Sequence, residues 1–267
     1  MNKIIYIILV IFIIFLIYPI YVLFLVSFVP AIFTVDRLYP YQFPVALTLS
    51  NLELALSNPQ MIHAVYKSLE TATLVGIIAV SLGIPTAYGL SKLPEKIAYA
   101  ITTILFTVNM MPSIVIAIPI AADFIKIGLF DTALGLALAQ ELIALPLTSF
   151  ILLGTFQSIP PELEYQARVD GAGLFRSIFE VLIPLAREGI IASFLLSWML
   201  SWDEFTFAVL ISPIRPTLPV LIYLYTTRGN ILEAAAFSLF LTIPVLILTV
   251  FLQKYLRGEY LGGGLKG

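Results

Sequence analysis

Two groups of residues in this chain have the types and spacing to do chemistry. The first is the run Pro160 to Pro184, PPELEYQARVDGAGLFRSIFEVLIP, which gathers Glu162, Glu164, Arg168, Asp170, Arg176 and Glu180 around Gly171 and Gly173. Its mixed charges suit docking to a soluble partner; the alternative is a solvated loop that lets the chain turn round. The second group is Glu141, Trp202, Asp203 and Glu204, which interrupt otherwise apolar stretches. A carboxylate deep in a bilayer costs on the order of 3 kcal/mol or more, so such groups face a bundle interior or a wet cavity. Carboxylates accept hydrogen bonds and indole rings offer stacking faces, so these four residues suit the lining or gate of a polar path. Their other reading is structural, as helix-to-helix hydrogen bonds or as acids near the outer interface.

Other chemistries lack their parts. The chain has no cysteine and a single histidine, His63, which excludes disulfides, thiol catalysis and multi-histidine metal sites. No G-x-x-x-x-G-K-[ST] phosphate loop occurs; Gly262 to Gly267 contains glycines and a lysine at the wrong spacing. No catalytic triad or dinucleotide fingerprint is present, so the chain is expected not to be an enzyme. It is expected to bind no metal or cofactor itself and no nucleic acid.

The elements that must position these residues are written in the hydropathy. Of 267 residues 60% are hydrophobic and 11% charged, against roughly a quarter charged in soluble domains. The mean hydropathy is +1.04. An all-α membrane protein of the cell membrane, multi-pass, is the expected class, because the apolar runs lack period-two alternation and reach the length of about 20 residues that a crossing needs. Six transmembrane helices are expected near 4–29, 67–91, 97–122, 131–156, 184–212 and 232–254, with a loop over 157–183 and an outside segment over 30–66, in one transmembrane domain spanning 1–267. Pro112 and Pro119 fall inside the third. Ser50-Asn51-Leu52-Glu53 reads as a capping box opening a short surface helix in the outside segment.

With the N-terminus in the cytoplasm, nine of the 14 lysines and arginines fall inside: Lys3, Lys92, Lys96, Arg168, Arg176, Arg187, Lys254, Arg257 and Lys266. Arg37, Lys67, Lys126, Arg215 and Arg228 fall outside. The bias follows the positive-inside rule and puts both termini, and the charged run, in the cytoplasm. Within that run Ser158 is a candidate N-cap, Pro160 and Pro161 suit a helix start, and Gly171 ends a first short helix. Phe175, Ile178, Phe179 and Leu182 form one stripe of a second.

At this point the residues resemble a known family. The segment is similar to the EAA loop of inner-membrane subunits of binding-protein-dependent ABC importers, with Ala167, Asp170, Gly171, Ala172, Ile183 and Pro184 at matching places. It departs where Tyr165 and Gln166 stand for the motif's Glu and first Ala, with Glu164 one position early. Trp202-Asp203-Glu204-Phe205, Leu218-Pro219, Ala234 to Ser238, Ile243-Pro244 and the tail Gly262 to Gly267 follow the order seen in maltose-transporter-type sugar permeases, and Lys67-Ser68-Leu69 resembles that family's N-S-L.

The resemblance implies a permease subunit that translocates a sugar or oligosaccharide delivered by an extracellular solute-binding protein. It implies a second permease subunit and two ATP-binding subunits, which would hold ATP and Mg2+. The hairpin would be the coupling helix, with Glu162, Glu164, Tyr165, Ala167, Arg168, Asp170, Gly171 and Ala172 facing or shaping the ATPase contact. Gly264, Lys266 and Gly267 would be a second ATPase contact. Glu141, Trp202, Asp203 and Glu204 remain the candidate path. The competing readings are an ABC permease for a polyamine or inorganic anion, and an ion-coupled secondary transporter, which would need paired intramembrane ionisable groups that the sequence does not display.

Overall fold

The computed structural model describes residues 3–30 and 46–256, and among them every regular element is a helix. The described residues fall into two compact units, one of 3–30, 46–66 and 216–244, the other of 67–215 and 245–256. The tail residues Gly264, Lys266 and Gly267 lie outside the described residues, as do Arg37, Arg257 and the stretch 31–45.

In the first unit, α1 (Lys3–Ser27) carries no charge after its first residue, and its side chains are exposed on all sides over most of its length. A helix apolar all round is a lipid-embedded one. It is followed by α2 (Ser50–Ser57), the expected short surface helix. The expected capping box does not form: the Ser50 N–H is taken by Thr48 Oγ1 at 3.1 Å, and no side chain caps the first turn. Asn51 is instead buried, donating from Nδ2 to the carbonyls of Ser27 and Val29 at 3.1 and 2.8 Å. Asn58 opens α3 (Pro59–Ser91), accepting from the Gln60 N–H at 2.9 Å. The later helices of this unit are α12 (Leu218–Thr227) and the greater part of α13 (Ile231–Leu256), where the Tyr225 ring meets Phe237 edge-on at 4.8 Å.

The second unit carries the residues of interest. Here lie most of α3, then α4 (Glu95–Val108), α5 (Ser113–Ile127), α6 (Ala133–Ser158), α7 (Pro161–Val169), α8 (Leu174–Ser177), a π turn (Ile178–Leu182), α9 (Ile183–Leu185), α10 (Arg187–Trp202) and α11 (Thr206–Ile211). The helix α6 is its axis: Leu136, Ala137, Gln140, Ala144, Thr148 and Leu152 are fully enclosed. Against α6 lies a stripe of α10 with a small residue every fourth position, Gly189, Ser193, Ser197 and Ser201. Small residues let two backbones approach where no solvent drives association. Thr148 and Ser197 share a hydrogen bond of 2.6 Å across this seam, and Gly189 faces Thr155 so closely that a Cβ there would collide with it.

Four helices among the described residues are long and apolar enough to cross a bilayer: Ile5–Ser27, Pro59–Ser91, Ala133–Ser158 and Ile231–Gln253. The remaining two expected spans are not continuous helices. The segment 97–122 breaks between Val108 and Ser113, because Pro112 has no N–H to continue the ladder and sits in extended backbone before α5. The segment 184–212 breaks at Asp203 to Phe205, between α10 and α11. The expected start of α6 at 131 moves to Ala133, since Asp131 has a φ of 60° and Thr132 Oγ1 caps the helix by accepting from the Gly135 N–H at 2.9 Å.

Candidate functional site: a docking hairpin and a broken intramembrane helix

The charged run folds as two short helices at a sharp bend. Pro160 and Pro161 start α7, whose ring geometry suits a first turn. Ser158 does not cap it; its hydroxyl donates back to the Thr155 carbonyl at 2.7 Å and finishes α6. Gly171 has a φ of 90°, which lets the Ala172 N–H return to the Ala167 carbonyl at 2.9 Å and close the end of α7. Beyond it the chain enters the π turn, where the Ile183 N–H reaches the Ile178 carbonyl. Pro184 follows directly, and a wider turn accommodates a residue that cannot donate to Glu180. The expected apolar stripe divides accordingly: Leu182 is buried and Ile178 half-buried, while Phe175 and Phe179 are 75% and 64% exposed.

The expected coupling residues also divide by direction. Glu162, Tyr165, Asp170 and Gly171 are exposed, and Ala167 and Ala172 are half-buried where the turn closes. Glu164 is turned inward, with its side chain 4% exposed. Its Oε1 accepts from Tyr88 Oη at 2.8 Å and from Arg168 Nη2 at 2.9 Å, and its Oε2 from Lys92 Nζ at 2.5 Å. Burial alone pushes the Glu164 carboxyl upward, but the hydrogen bonds from Lys92 and Tyr88 and the Lys92 charge outweigh it and hold it below the usual range. The Glu164 bond raises Arg168 correspondingly.

The four intramembrane candidates separate too. Trp202 is 1% exposed and stacks on Trp198 at 5.0 Å, so its ring is core and offers no stacking face. Glu204 caps α11: its carboxylate accepts from the N–H groups of Phe207 and Ala208 at 2.9 and 3.2 Å. Gln140 donates to the same carboxylate at 3.1 Å and accepts from Ser201 Oγ at 2.5 Å, joining α6 to the helix break. Asp203 is exposed at that break and makes no side-chain hydrogen bond or ion pair among the described residues. Glu141 is buried in α6 with neither carboxyl oxygen bonded. By spacing it shares a face with Ala137 and Ala144, which pack against Val75 and Ala79 of α3. The structure therefore brings Trp202, Asp203 and Glu204 to one break and leaves Glu141 on a separate face.

Two polar assemblies escaped the sequence. Tyr88 and Lys92, which hold Glu164, lie 76 and 72 positions from it, and no local pattern links them. The second surrounds Asp131. Its Oδ1 accepts from Ser212 Oγ and from the Arg215 N–H, each at 3.0 Å, and its Oδ2 from Arg215 Nε at 2.9 Å. Lys67 Nζ donates to the Asp131 carbonyl at 3.0 Å and to Ser212 Oγ. The advance signal in the sequence was that Lys67 and Arg215 are both expected at the outside ends of their segments.

Residues 79–259 match the family model described as the binding-protein-dependent transport system inner membrane component. The chain is 32% identical over 237 residues to the inner membrane ABC transporter permease protein YcjP of Escherichia coli (strain K12), covering 86% of this chain and 84% of that protein. It is 28% identical over 230 residues to the trehalose transport system permease protein SugB of Mycobacterium tuberculosis, covering 84% of each. In fold it is similar to a chain in the crystal structure of a bacterial ABC transporter that imports the acidic polysaccharide alginate, with a TM-score of 0.70, 22% identity and coverage of 93% and 94%. The chain, with its hairpin between α6 and α10 inside the matched residues, belongs to the inner-membrane component family of binding-protein-dependent transport systems.

Proposed function

We propose that this chain is a pore-forming permease subunit of an ATP-driven importer for a sugar or oligosaccharide. The observation that carries the proposal is the hairpin of α7 and α8, which connects two packed helices of the apolar bundle and presents Glu162, Tyr165, Asp170, Phe175 and Phe179 outward. Acids and large apolar side chains exposed together at a bend fit a protein surface better than water or lipid. Relatives named as permeases for trehalose and for melibiose, raffinose and stachyose support the solute class.

In this reading the chain crosses the membrane six times with both termini in the cytoplasm, the third and fifth crossings being built from broken helices. Two ATP-binding subunits hold ATP and Mg2+, one of them receiving the hairpin. A second permease completes the path, and an extracellular solute-binding protein delivers the solute. A solved alginate importer in complex with its periplasmic protein supports that last partner. Asp203 is the residue best suited to the path: an exposed, unpaired carboxylate at a helix break in an apolar segment is tolerated beside water or a polar solute, not beside lipid.

The test is purification from native membranes followed by reconstitution. A phosphate-loop ATPase is expected to co-purify, and uptake of labelled trehalose or raffinose is expected to require ATP, Mg2+ and the binding protein. Uptake driven by an ion gradient without ATP overturns the proposal.

A further inference from the structure

We infer that Glu164 is a positioning residue that clamps the hairpin to the cytoplasmic end of α3, so that movement of α7 is delivered to α3 as well as to α6 and α10. The inference rests on the coupling role proposed above and specifies how that role is transmitted. The hairpin is joined covalently to α6 through Ile159 and Pro160 and to α10 through Pro184 to Ala186. Its link to α3 is made by side chains alone. Tyr88 lies in the last turn of α3 and Lys92 just past its end, and both donate to the Glu164 carboxylate. Arg168, one turn along α7, donates to the same group and aligns it.

The carboxylate is unsuited to an external contact. Its side chain is enclosed and already accepts three charge-assisted or hydroxyl bonds, whereas Glu162 and Asp170 on the same hairpin are open to a partner. The clamp also stands on a packed base. The Tyr88 ring meets Phe156 of α6 edge-on at 6.2 Å, and Lys92 Nζ lies 5.0 Å from the centre of the Tyr88 ring. Ala87, Leu90, Phe156 and Leu182 form one buried apolar cluster beneath it, joining α3, α6 and the π turn. A short helix held only at two ends flanked by proline and a left-handed glycine can swivel about its axis. The Glu164 bonds remove that freedom, and a push on α7 then displaces α3 with it.

The experiment uses the whole transporter in liposomes. The chain has no cysteine, so Gln166→Cys on α7 and Leu82→Cys on α3, with any cysteines of the other subunits replaced by serine, give one pair of spin labels, both at exposed positions. With Glu164 present, a single narrow distance is expected with and without ATP, because the two elements move together. Glu164→Gln and Lys92→Met are each expected to lose that narrow distance while the ATPase subunits stay bound. Lys92→Arg, which keeps a charged donor, is expected to restore it. Lys92 is half exposed, so its variant tests the clamp without burying a new group. An unchanged narrow distance in Glu164→Gln overturns the inference. So does loss of the ATPase subunits from Glu164→Gln but not from Lys92→Met, which makes Glu164 an external contact. Failure of the coupling role itself reads differently: no ATPase subunit accompanies the unmodified chain.

Discussion

Glu141 and Gly171 show how differently two residues singled out by the sequence are built into the protein. Glu141 is enclosed with both carboxyl oxygens unbonded, an arrangement that opposes folding unless something else requires it. Replacing it with leucine, of similar length, is expected to stabilise the chain by about 1–3 kcal/mol, the cost of an unsatisfied buried polar group. Thermal unfolding in detergent measures this, and a lowered midpoint would show that Glu141 has a partner after all. If uptake falls in the same stabilised variant, the acid is kept for transport. Gly171 is the opposite case, exposed and with open space where a Cβ would go. Its constraint is the backbone, whose φ of 90° L side chains rarely adopt, at a cost of about 1–3 kcal/mol. Gly171→Asp is expected to insert and assemble normally yet lose uptake while ATP hydrolysis continues. Normal uptake by that variant would remove the bend from the coupling mechanism. The sequence identified Gly171 because helix ends have a composition of their own. It identified Glu141 because charge in an apolar run is rare. It left the Trp202 ring open between path and packing, since burial against Trp198 depends on which way the helix faces.

Among the elements, existence was easier to read than continuity. Long apolar runs announced α1, α3, α6 and α13 because bilayer thickness sets their length. The segments 97–122 and 184–212 look as apolar as the rest, but their breaks come from chemistry that hydropathy averages away. Pro112 lacks a donor at one break. At the other the Glu204 carboxylate takes the first N–H groups of α11, so a residue expected to line a path is what ends one helix and starts the next. The seam between α6 and α10 was likewise invisible in each helix alone, because its meaning lies in the match of Gly189 to Thr155 and Ser197 to Thr148. That match is testable against an internal control. Gly189→Val drives a branched side chain into Thr155 and is expected to cost about 1–3 kcal/mol by overpacking. Gly154→Val, with open space around it on α6, is expected to leave thermal stability nearly unchanged. Equal losses at both positions would mean that the seam is looser than the packing indicates.

For the whole molecule the governing question is which side of the membrane each end of the bundle faces. The hairpin can meet an ATP-binding subunit only from the cytoplasm, and the lysine and arginine distribution is the physical argument for that side. The lengths agree with it. The helix α3 has 33 residues, about 50 Å at 1.5 Å per residue, against a hydrocarbon thickness of about 30 Å. In the proposed crossing it would project beyond the apolar layer, with Lys92 near one end and the Pro59 turn at the other in polar surroundings. Lys92 shares the hairpin's end through Glu164, and in the proposed topology Glu53, which precedes α3 in sequence, is expected on the opposite side of the membrane. The absence of cysteine makes the assignment directly measurable. In right-side-out vesicles a membrane-impermeant maleimide is expected to label Glu53→Cys at once and Glu162→Cys only after permeabilisation, both positions being exposed on the protein. The reverse pattern would put the hairpin outside, where no ATP-binding subunit can reach it, and the coupling proposal would fall with the orientation.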